Sequence, residues 1–178
     1  MIIGKELEKK SRYMSKLLRH NPEELTINKE GWVSTEELCS KLKINLTSLD
    51  QIVKENDKQR FIFNEDKSKI RANQGHSINV DLNLTPQTPP SKLYHGTSKE
   101  SYEIIINMGI QKMKRQHVHL SAYIETAIKV GIRHCRADVF PAVCIIDAET
   151  MHKDGFKFYL SENKVWLTDN VPSKYLIN

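Results

Sequence analysis

Leu84-Thr85-Pro86-Gln87-Thr88-Pro89-Pro90-Ser91 divides this chain of 178 residues. Three prolines within residues 86–90 continue neither a helix nor a central strand, and they favour a stiff, extended connector. The sequence therefore predicts two modules, residues 1–84 and 92–178, joined by a linker over 85–91. A chain of this length buries about 70% of its unfolded surface, so it needs no disulfide staples. With 39% hydrophobic and 28% charged residues it reads as globular, and no apolar run approaches the ~20 residues of a membrane span. The start, Met1-Ile2-Ile3-Gly4-Lys5-Glu6, turns charged at once, so no secretory signal is expected. The 3 cysteines form no C-x-x-C pair, which predicts a reducing compartment, with cytoplasm the default. The net charge of +5 is spread along the chain: 15 Lys/Arg face 12 Asp/Glu over residues 1–80, and 12 face 10 thereafter. Any anionic partner must therefore be met by placed residues, not by a basic tail.

Upstream of the prolines, Leu7, Met14, Leu17 and Leu18 share one helical face, and Pro22 biases Asn21 away from helix. These signals predict a helix over 5–20. Ser34 and Glu37 form a capping-box pattern, with Glu37 expected to reach back to the Ser34 amide. Thr47 and Asp50 suggest another helix, with Leu49, Ile52 and Val53 inward. Residues 60–63 and 69–72 flank a polar turn and predict a hairpin. Helices followed by a hairpin suggest a winged helix. Downstream, Lys92-Leu93-Tyr94 is expected as a short strand, followed by a helix over 98–108 with Gly109 as a left-handed cap. His117, His119 and Ser121 alternate with Val118 and Leu120, so the polar three share one strand face. A helix over 123–130 is expected to stop at Gly131, leaving Arg133 in a loop. Residues 142–146, 156–160 and 165–168 are strand candidates. The expected class is α+β, with a mixed, split sheet in the second module.

Four stretches carry side chains suited to chemistry. In Leu18-Arg19-His20-Asn21-Pro22, an arginine beside a histidine suits a phosphate, although basic residues in a last helical turn also complement the helix dipole. Ile70-Arg71-Ala72-Asn73-Gln74-Gly75-His76-Ser77 gathers hydrogen-bond donors around a glycine, with no carboxylate. It reads equally as an anion site or as a polar hairpin exit. Tyr94-His95-Gly96-Thr97-Ser98, with His117, His119 and Ser121, suits a ribose or a carboxamide, or else strand histidines satisfied by carbonyls. Zinc is disfavoured, because no Asp or Glu flanks the histidines and the cysteines lack ligand spacing. The fourth is Val130-Gly131-Ile132-Arg133-His134-Cys135. Neither G-x-G-x-x-G nor G-x-x-x-x-G-K-[ST] occurs, so a Rossmann or P-loop site is not supported.

Taken in order, these elements resemble the RNA 2′-phosphotransferase family. The matching set is Leu17-Leu18-Arg19-His20-x-Pro22, Gly31-Trp32-Val33, Ile70-Arg71-Ala72-x-Gln74-Gly75-His76-Ser77 and Leu93-Tyr94-His95-Gly96-Thr97. It continues with Val118-His119-Leu120-Ser121, Val130-Gly131-x-Arg133-His134 and Val165-Trp166-Leu167-Thr168. The resemblance implies an N-terminal winged-helix lobe that binds RNA and a C-terminal lobe of ADP-ribosyltransferase type that binds NAD. It implies NAD-dependent removal of an internal 2′-phosphate from RNA, as left at a tRNA splice junction. The phosphate would attack the nicotinamide ribose to give an ADP-ribosylated phosphate. The products would be 2′-OH RNA, nicotinamide and ADP-ribose 1″,2″-cyclic phosphate. Carried over by motif, Arg19, His20, Arg71 and Arg133 are catalytic, and His95, Gly96, Thr97, His119 and Ser121 hold NAD as co-substrate. Arg19, Arg71, Gln74, His76 and Ser77 bind the RNA phosphate. No metal is implied, and a monomer without membrane contact is expected. The stretch Cys135-Arg136-Ala137-Asp138 departs from the family, which more often has a glycine and a tighter turn there.

Two other functions fit parts of the chain. An ADP-ribosyltransferase acting on protein or nucleic-acid ends would leave an ADP-ribose adduct on its acceptor. A non-catalytic winged-helix binder would read duplex through a recognition helix, but the segment near 47–56 is poor in Arg, Asn and Gln for that role.

Overall fold

The computed structural model describes residues 4–136 and 139–177. Met1–Ile3, part of the start read for a signal, and Ala137 and Asp138, in the departing stretch, lie outside the described residues. The chain forms two compact units that part between Asn83 and Leu84.

In the first unit, α1 (Lys5–Arg19) buries Met14, Leu17 and Leu18, with Leu7 packed at the edge of the same core. It carries Glu6 and Glu8 in its first turn and Lys16 and Arg19 in its last, matching the helix dipole at both ends. Strand β1 (Val33–Ser34) leads into α2 (Thr35–Leu42), and Ser34 Oγ accepts the Glu37 N–H. Among the described residues, the reciprocal half of the expected capping box is not made. Glu37 Oε1 instead accepts the Thr26 N–H at 2.8 Å, because the 22–27 loop brings its own orphan donor within reach. Helix α3 (Leu46–Lys54) opens at Asn45, whose Oδ1 accepts the Ser48 N–H at 2.8 Å, not at the expected Thr47. An asparagine is the better cap there. The hairpin expected over 60–72 is present as β2 (Phe61–Phe63) and β3 (Lys69–Ala72). Strand β3 is central in the order β1-β3-β2, all antiparallel, with Val33 opposite Ile70 and Ile62 opposite Arg71. Alternation along β3 buries Ile70 and Ala72 and leaves Arg71 on the other face.

The second unit begins with the proline-rich stretch, which lies against it: Pro86 bridges Tyr159, and the Gln87 N–H donates to the Phe158 carbonyl at 2.8 Å. Strand β4 (Lys92–Thr97) is followed by α4 (Lys99–Met108), capped by Ser98. Gly109 then has φ 76° and ψ −179°, an extended backbone of positive φ open mainly to glycine, and not the left-handed helical cap expected. It is needed because β5 (Ile110–Gln111) pairs with β10 (Asn170–Val171) so closely that a Cβ at 109 would overlap the Val171 carbonyl.

Strand β6 (Val118–Leu120) buries Val118 and Leu120 and leaves His119 half-buried, as its alternation requires. Helix α5 (Ile124–Ile132) runs through Gly131 instead of stopping there, so Arg133 is its exposed C-cap and not a loop residue. Gly131 stays helical because that turn packs on β4. A Cβ there would lie 2.6 Å from Pro141 Cβ and 3.1 Å from the Thr97 nitrogen. Next come β7 (Ala142–Asp147), α6 (Ala148–Lys153), β8 (Tyr159–Leu160) and β9 (Trp166–Thr168). Strand β8 is shorter than the 156–160 expected, because the Thr168 hydroxyl takes the Lys157 carbonyl at 2.9 Å in place of a ladder bond. A short 3-10 turn (Ser173–Tyr175) and β11 (Leu176–Ile177) complete the unit.

The sheets of the second unit are split, as expected, into β11-β7-β4, β6-β9-β8 and β10-β5. Every described ladder is antiparallel, however, where mixed directions were expected. The link from β8 to β9 spans only residues 161–165, too short for the crossover that a parallel pair needs. The class is α+β.

Gly96 lies in β4 where α5 crosses it. A Cβ there would overlap the Ala127 carbonyl oxygen and approach the Gly131 nitrogen to 2.8 Å. These are backbone atoms, so a larger residue must push the helix off the strand. Gly96→Ala should therefore destabilise the second unit by about 1–3 kcal/mol, read as a lower urea midpoint. An unchanged midpoint would show that α5 and β4 are not held this closely.

Candidate functional site

The first cluster forms where the segment after β3 returns to the end of α1. The Arg19 carbonyl, in the last turn of α1, accepts the N–H groups of Ser77 at 2.8 Å and Ile78 at 3.3 Å. This backbone closure brings Gln74, Gly75, His76 and Ser77 beside Arg19 and His20. Ser77 Oγ lies 3.0 Å from His20 Nδ1, and both side chains are exposed. Gly75 has φ 89°, and a Cβ there would sit 3.6 Å from the Arg19 guanidinium carbon, so that side chain lies along the glycine.

His76 is only 1% exposed, behind the exposed pair His20 and Ser77. Its ring is flanked by Gly31, where a Cβ would lie 3.6 Å from Nε2, and among the described residues neither ring nitrogen has a hydrogen-bond partner. Burial first, then the positive charges of Arg19, Arg71 and His20, push its pKa down to about 4. The ring is neutral near pH 7. Arg71, half-buried on β3, has its guanidinium carbon 4.5 Å from the centroid of the Trp32 ring, and its Nη1–H donates to the Glu30 carbonyl at 3.3 Å. Arg19, His20, Arg71, Gln74, His76 and Ser77 are thus gathered within the first unit. The sequence reading singled out no role for Trp32. The only signal for it was its place in Gly31-Trp32-Val33.

The second cluster lies on β4 and β6. Tyr94 and Ser121 exchange backbone hydrogen bonds at 2.8 and 2.9 Å, which sets β4 beside the end of β6. The His95 Nδ1–H donates to the His119 carbonyl at 3.0 Å. His95 is held below the usual histidine range by burial first, and further by the charges of His134 and Arg115. Arg115 Nη1–H donates to His119 Nδ1 at 3.4 Å. Thr97 is buried at 7% exposure, and Gly96 is spent on the approach of α5. His95, Gly96, Thr97, His119 and Ser121 are therefore neighbours. Arg133, at the end of α5, belongs to the same unit and is exposed. Arg115 and His134 act on this cluster without having been singled out for it; the basic run from Lys112 to Arg115 was the available signal.

Comparison with known proteins points to one family. The family model described as RNA 2′-phosphotransferase, Tpt1 / KptA family, matches residues 5–170. A protein of Fusobacterium nucleatum, named probable RNA 2′-phosphotransferase, is 52% identical over 175 residues, covering 94% of this chain and 96% of that protein. Proteins of the same name from Trichormus variabilis and Flavobacterium johnsoniae are 50% and 49% identical over 173 residues, each covering 93% of both chains. Among the described residues, no helix is long and apolar enough to cross a membrane.

The buried His76 ring sets a pH dependence. Between the ordinary value of 6.5 and about 4, the unfolded chain holds this proton and the folded chain does not. Stability is therefore complete above the upper value, falls as pH drops through the window, and loses about 3 kcal/mol from this group by the lower end. The lowered His95 adds a slope of the same sign. Urea unfolding from pH 7 to pH 4 should therefore be compared with His76→Gln, whose slope is expected to be shallower by this amount. Parallel slopes would mean that the ring takes up a proton freely in the folded state.

Proposed function

The chain belongs to the RNA 2′-phosphotransferase family, and on that premise we propose that it removes an internal 2′-phosphate from RNA with NAD⁺ as co-substrate. The observation that carries this reading is the gathering of Arg19 and Arg71, from a helix end and a strand, around one neutral buried imidazole. A 2′-phosphate monoester carries about −1.5 to −2 charges near neutral pH. Two fixed guanidiniums with His20, Gln74 and Ser77 at the rim, and His76 behind them, suit that anion. The order helix, strand, two helices, hairpin supports a winged-helix lobe, and the split antiparallel sheets support an ADP-ribosyltransferase-type lobe.

The second cluster fits a dinucleotide by its donor set. His95, with Nδ1–H committed to the His119 carbonyl, offers Nε2 as an acceptor, and Ser121 is held one residue away, opposite Tyr94. Such neutral groups hydrogen-bond ribose hydroxyls and a carboxamide without demanding a charge. NAD⁺, when bound, supplies an electrophilic ribose carbon with nicotinamide as its leaving group. His95, Thr97, His119 and Ser121 would hold and orient it, with Gly96 allowing the strand and helix to approach.

The RNA 2′-phosphate displaces nicotinamide, and the neighbouring ribose hydroxyl then attacks the phosphorus to free 2′-OH RNA and ADP-ribose 1″,2″-cyclic phosphate. Both steps ask mainly for positioning and charge stabilisation. Arg19 and Arg71 stay protonated and serve as clamps, not bases. Arg133 is assigned to the same reaction by the family resemblance. His20, held by Ser77, steers or protonates a phosphate oxygen.

Incubation with NAD⁺ and a short RNA should release nicotinamide only if the RNA carries an internal 2′-phosphate, and should do so in EDTA, with the cyclic phosphate identified by mass. RNA that keeps its phosphate would overturn the proposal. A stable ADP-ribose adduct without cyclic product would instead make the chain an ADP-ribosyltransferase. Arg71→Ala should keep the fold and NAD⁺ binding while the rate falls roughly 10²–10³-fold. Loss of the fold would make Arg71 a structural hairpin residue.

A further inference from the structure

Strand register places Trp32 against Arg71. Val33 faces Ile70, so the next step outward along β1 brings Trp32 level with Arg71, on the face opposite the buried Ile70 and Ala72. On the other flank Ile62 is the direct partner of Arg71. Arg71 thus stands in the sheet between two half-buried apolar residues, with its guanidinium carbon 4.5 Å from the indole centroid. A cation at that distance over tryptophan is attracted by the ring quadrupole, and a planar guanidinium stacks there as an ammonium does not.

The turn that presents the indole is itself tied down. Asn28 Oδ1 accepts the N–H groups of Glu30 at 3.0 Å and Trp32 at 2.8 Å, and the Asn28 N–H donates to the Trp32 carbonyl at 3.0 Å. Gly31 completes the turn at φ 83°. This turn touches the arginine twice, through the Trp32 ring and through the Glu30 carbonyl. Through Gly31 it also backs the buried ring of His76.

We infer that Trp32 is the positioning residue of Arg71: the indole face and the Glu30 carbonyl, both held by Asn28, fix the plane in which the guanidinium meets the phosphate. The inference rests on the proposed 2′-phosphate reaction for its kinetic consequence, but its geometry can be read without it. Removal of Trp32 leaves the charge of Arg71 in place and frees its aim, and a misplacement of about 1 Å costs on the order of 10²-fold in rate.

The test compares wild type with Trp32→Leu and Trp32→Phe. By NMR, the side-chain protons of Arg71 in the wild type should be shifted upfield by the indole ring current, and Trp32→Leu should abolish the shift. In the 2′-phosphate assay, Trp32→Leu should lower kcat roughly 10–100-fold with KM for NAD⁺ within about twofold, and Trp32→Phe should recover most of the loss. An unshifted Arg71 in the wild type overturns the inference even if Trp32→Leu does not fold. So does a folded Trp32→Leu with wild-type kcat, or a Trp32→Phe as impaired as Trp32→Leu. Failure of the functional reading looks different, because the wild type is then inactive while the ring-current shift persists.

Discussion

Two backbone hydrogen bonds to one carbonyl, from Ser77 and Ile78 to Arg19, govern the arrangement of the first cluster. A helix leaves its last carbonyls without partners, and most helices satisfy them with water or with the next residues of the chain. Here the partner comes from beyond the hairpin, 58 residues along the chain. The segment that closes the helix is also the one that carries Gln74, His76 and Ser77. Satisfying the backbone therefore sets the register of the polar groups against Arg19 and His20. Gly75 follows from the same closure, because the returning chain passes the Arg19 guanidinium where a φ of 89° is required. The link is between covalent geometry and chemistry, with no side-chain contact needed to establish it.

Gathering cations in this way is unfavourable until an anion arrives. The two guanidiniums do not lose their protons, so among these cationic side chains only an imidazole can yield. His76 does so: it is buried and stays neutral, which spares the cluster a further positive charge. Arg71 is accommodated differently, over the Trp32 ring, whose face offers electron density without the full charge of a carboxylate. A carboxylate at that place would neutralise the guanidinium and compete with a phosphate. An aromatic face supports it and leaves its charge available. The absence of Asp and Glu from the run between Arg71 and Ser77 has the same consequence.

Local signals in the sequence carried much of the fold. The helix over Lys5–Arg19 was legible because an apolar period and Pro22 agree, and the hairpin was legible because two short apolar runs flank a polar turn. Strand β1 was not, since two residues have no period and exist as a strand only through β3. Gly131 was misread for a related reason. Glycine is locally a helix breaker, but here the closeness of Thr97 and Pro141 demands a helical residue without a side chain. The residues of the two clusters were legible as an ordered set of motifs. Their division of labour was not. The burial of His76 behind the rim, and the seat of Arg71 on Trp32, depend on pairings across the sheet that no window of sequence contains.

The same division of labour appears in the second cluster, where it has a chemical result. Arg115 donates to Nδ1 of His119, which favours the tautomer with the ring proton on Nε2. The His119 carbonyl accepts from Nδ1 of His95, so the neutral His95 ring keeps its proton there and leaves Nε2 as an acceptor. Two histidines that look alike in the sequence thus become a donor and an acceptor. Their tautomers are assigned by one arginine and one backbone carbonyl. Burial and the nearby charges of His134 and Arg115 lower the pKa of His95 and so disfavour a second proton, which would erase the distinction. A pair sorted in this way is suited to hydroxyl and amide groups by direction, not by charge. The cationic cluster of the first unit is suited to charge first. The two units of one chain therefore offer complementary chemistries, one suited to an anion and one to a neutral, hydroxyl-rich partner.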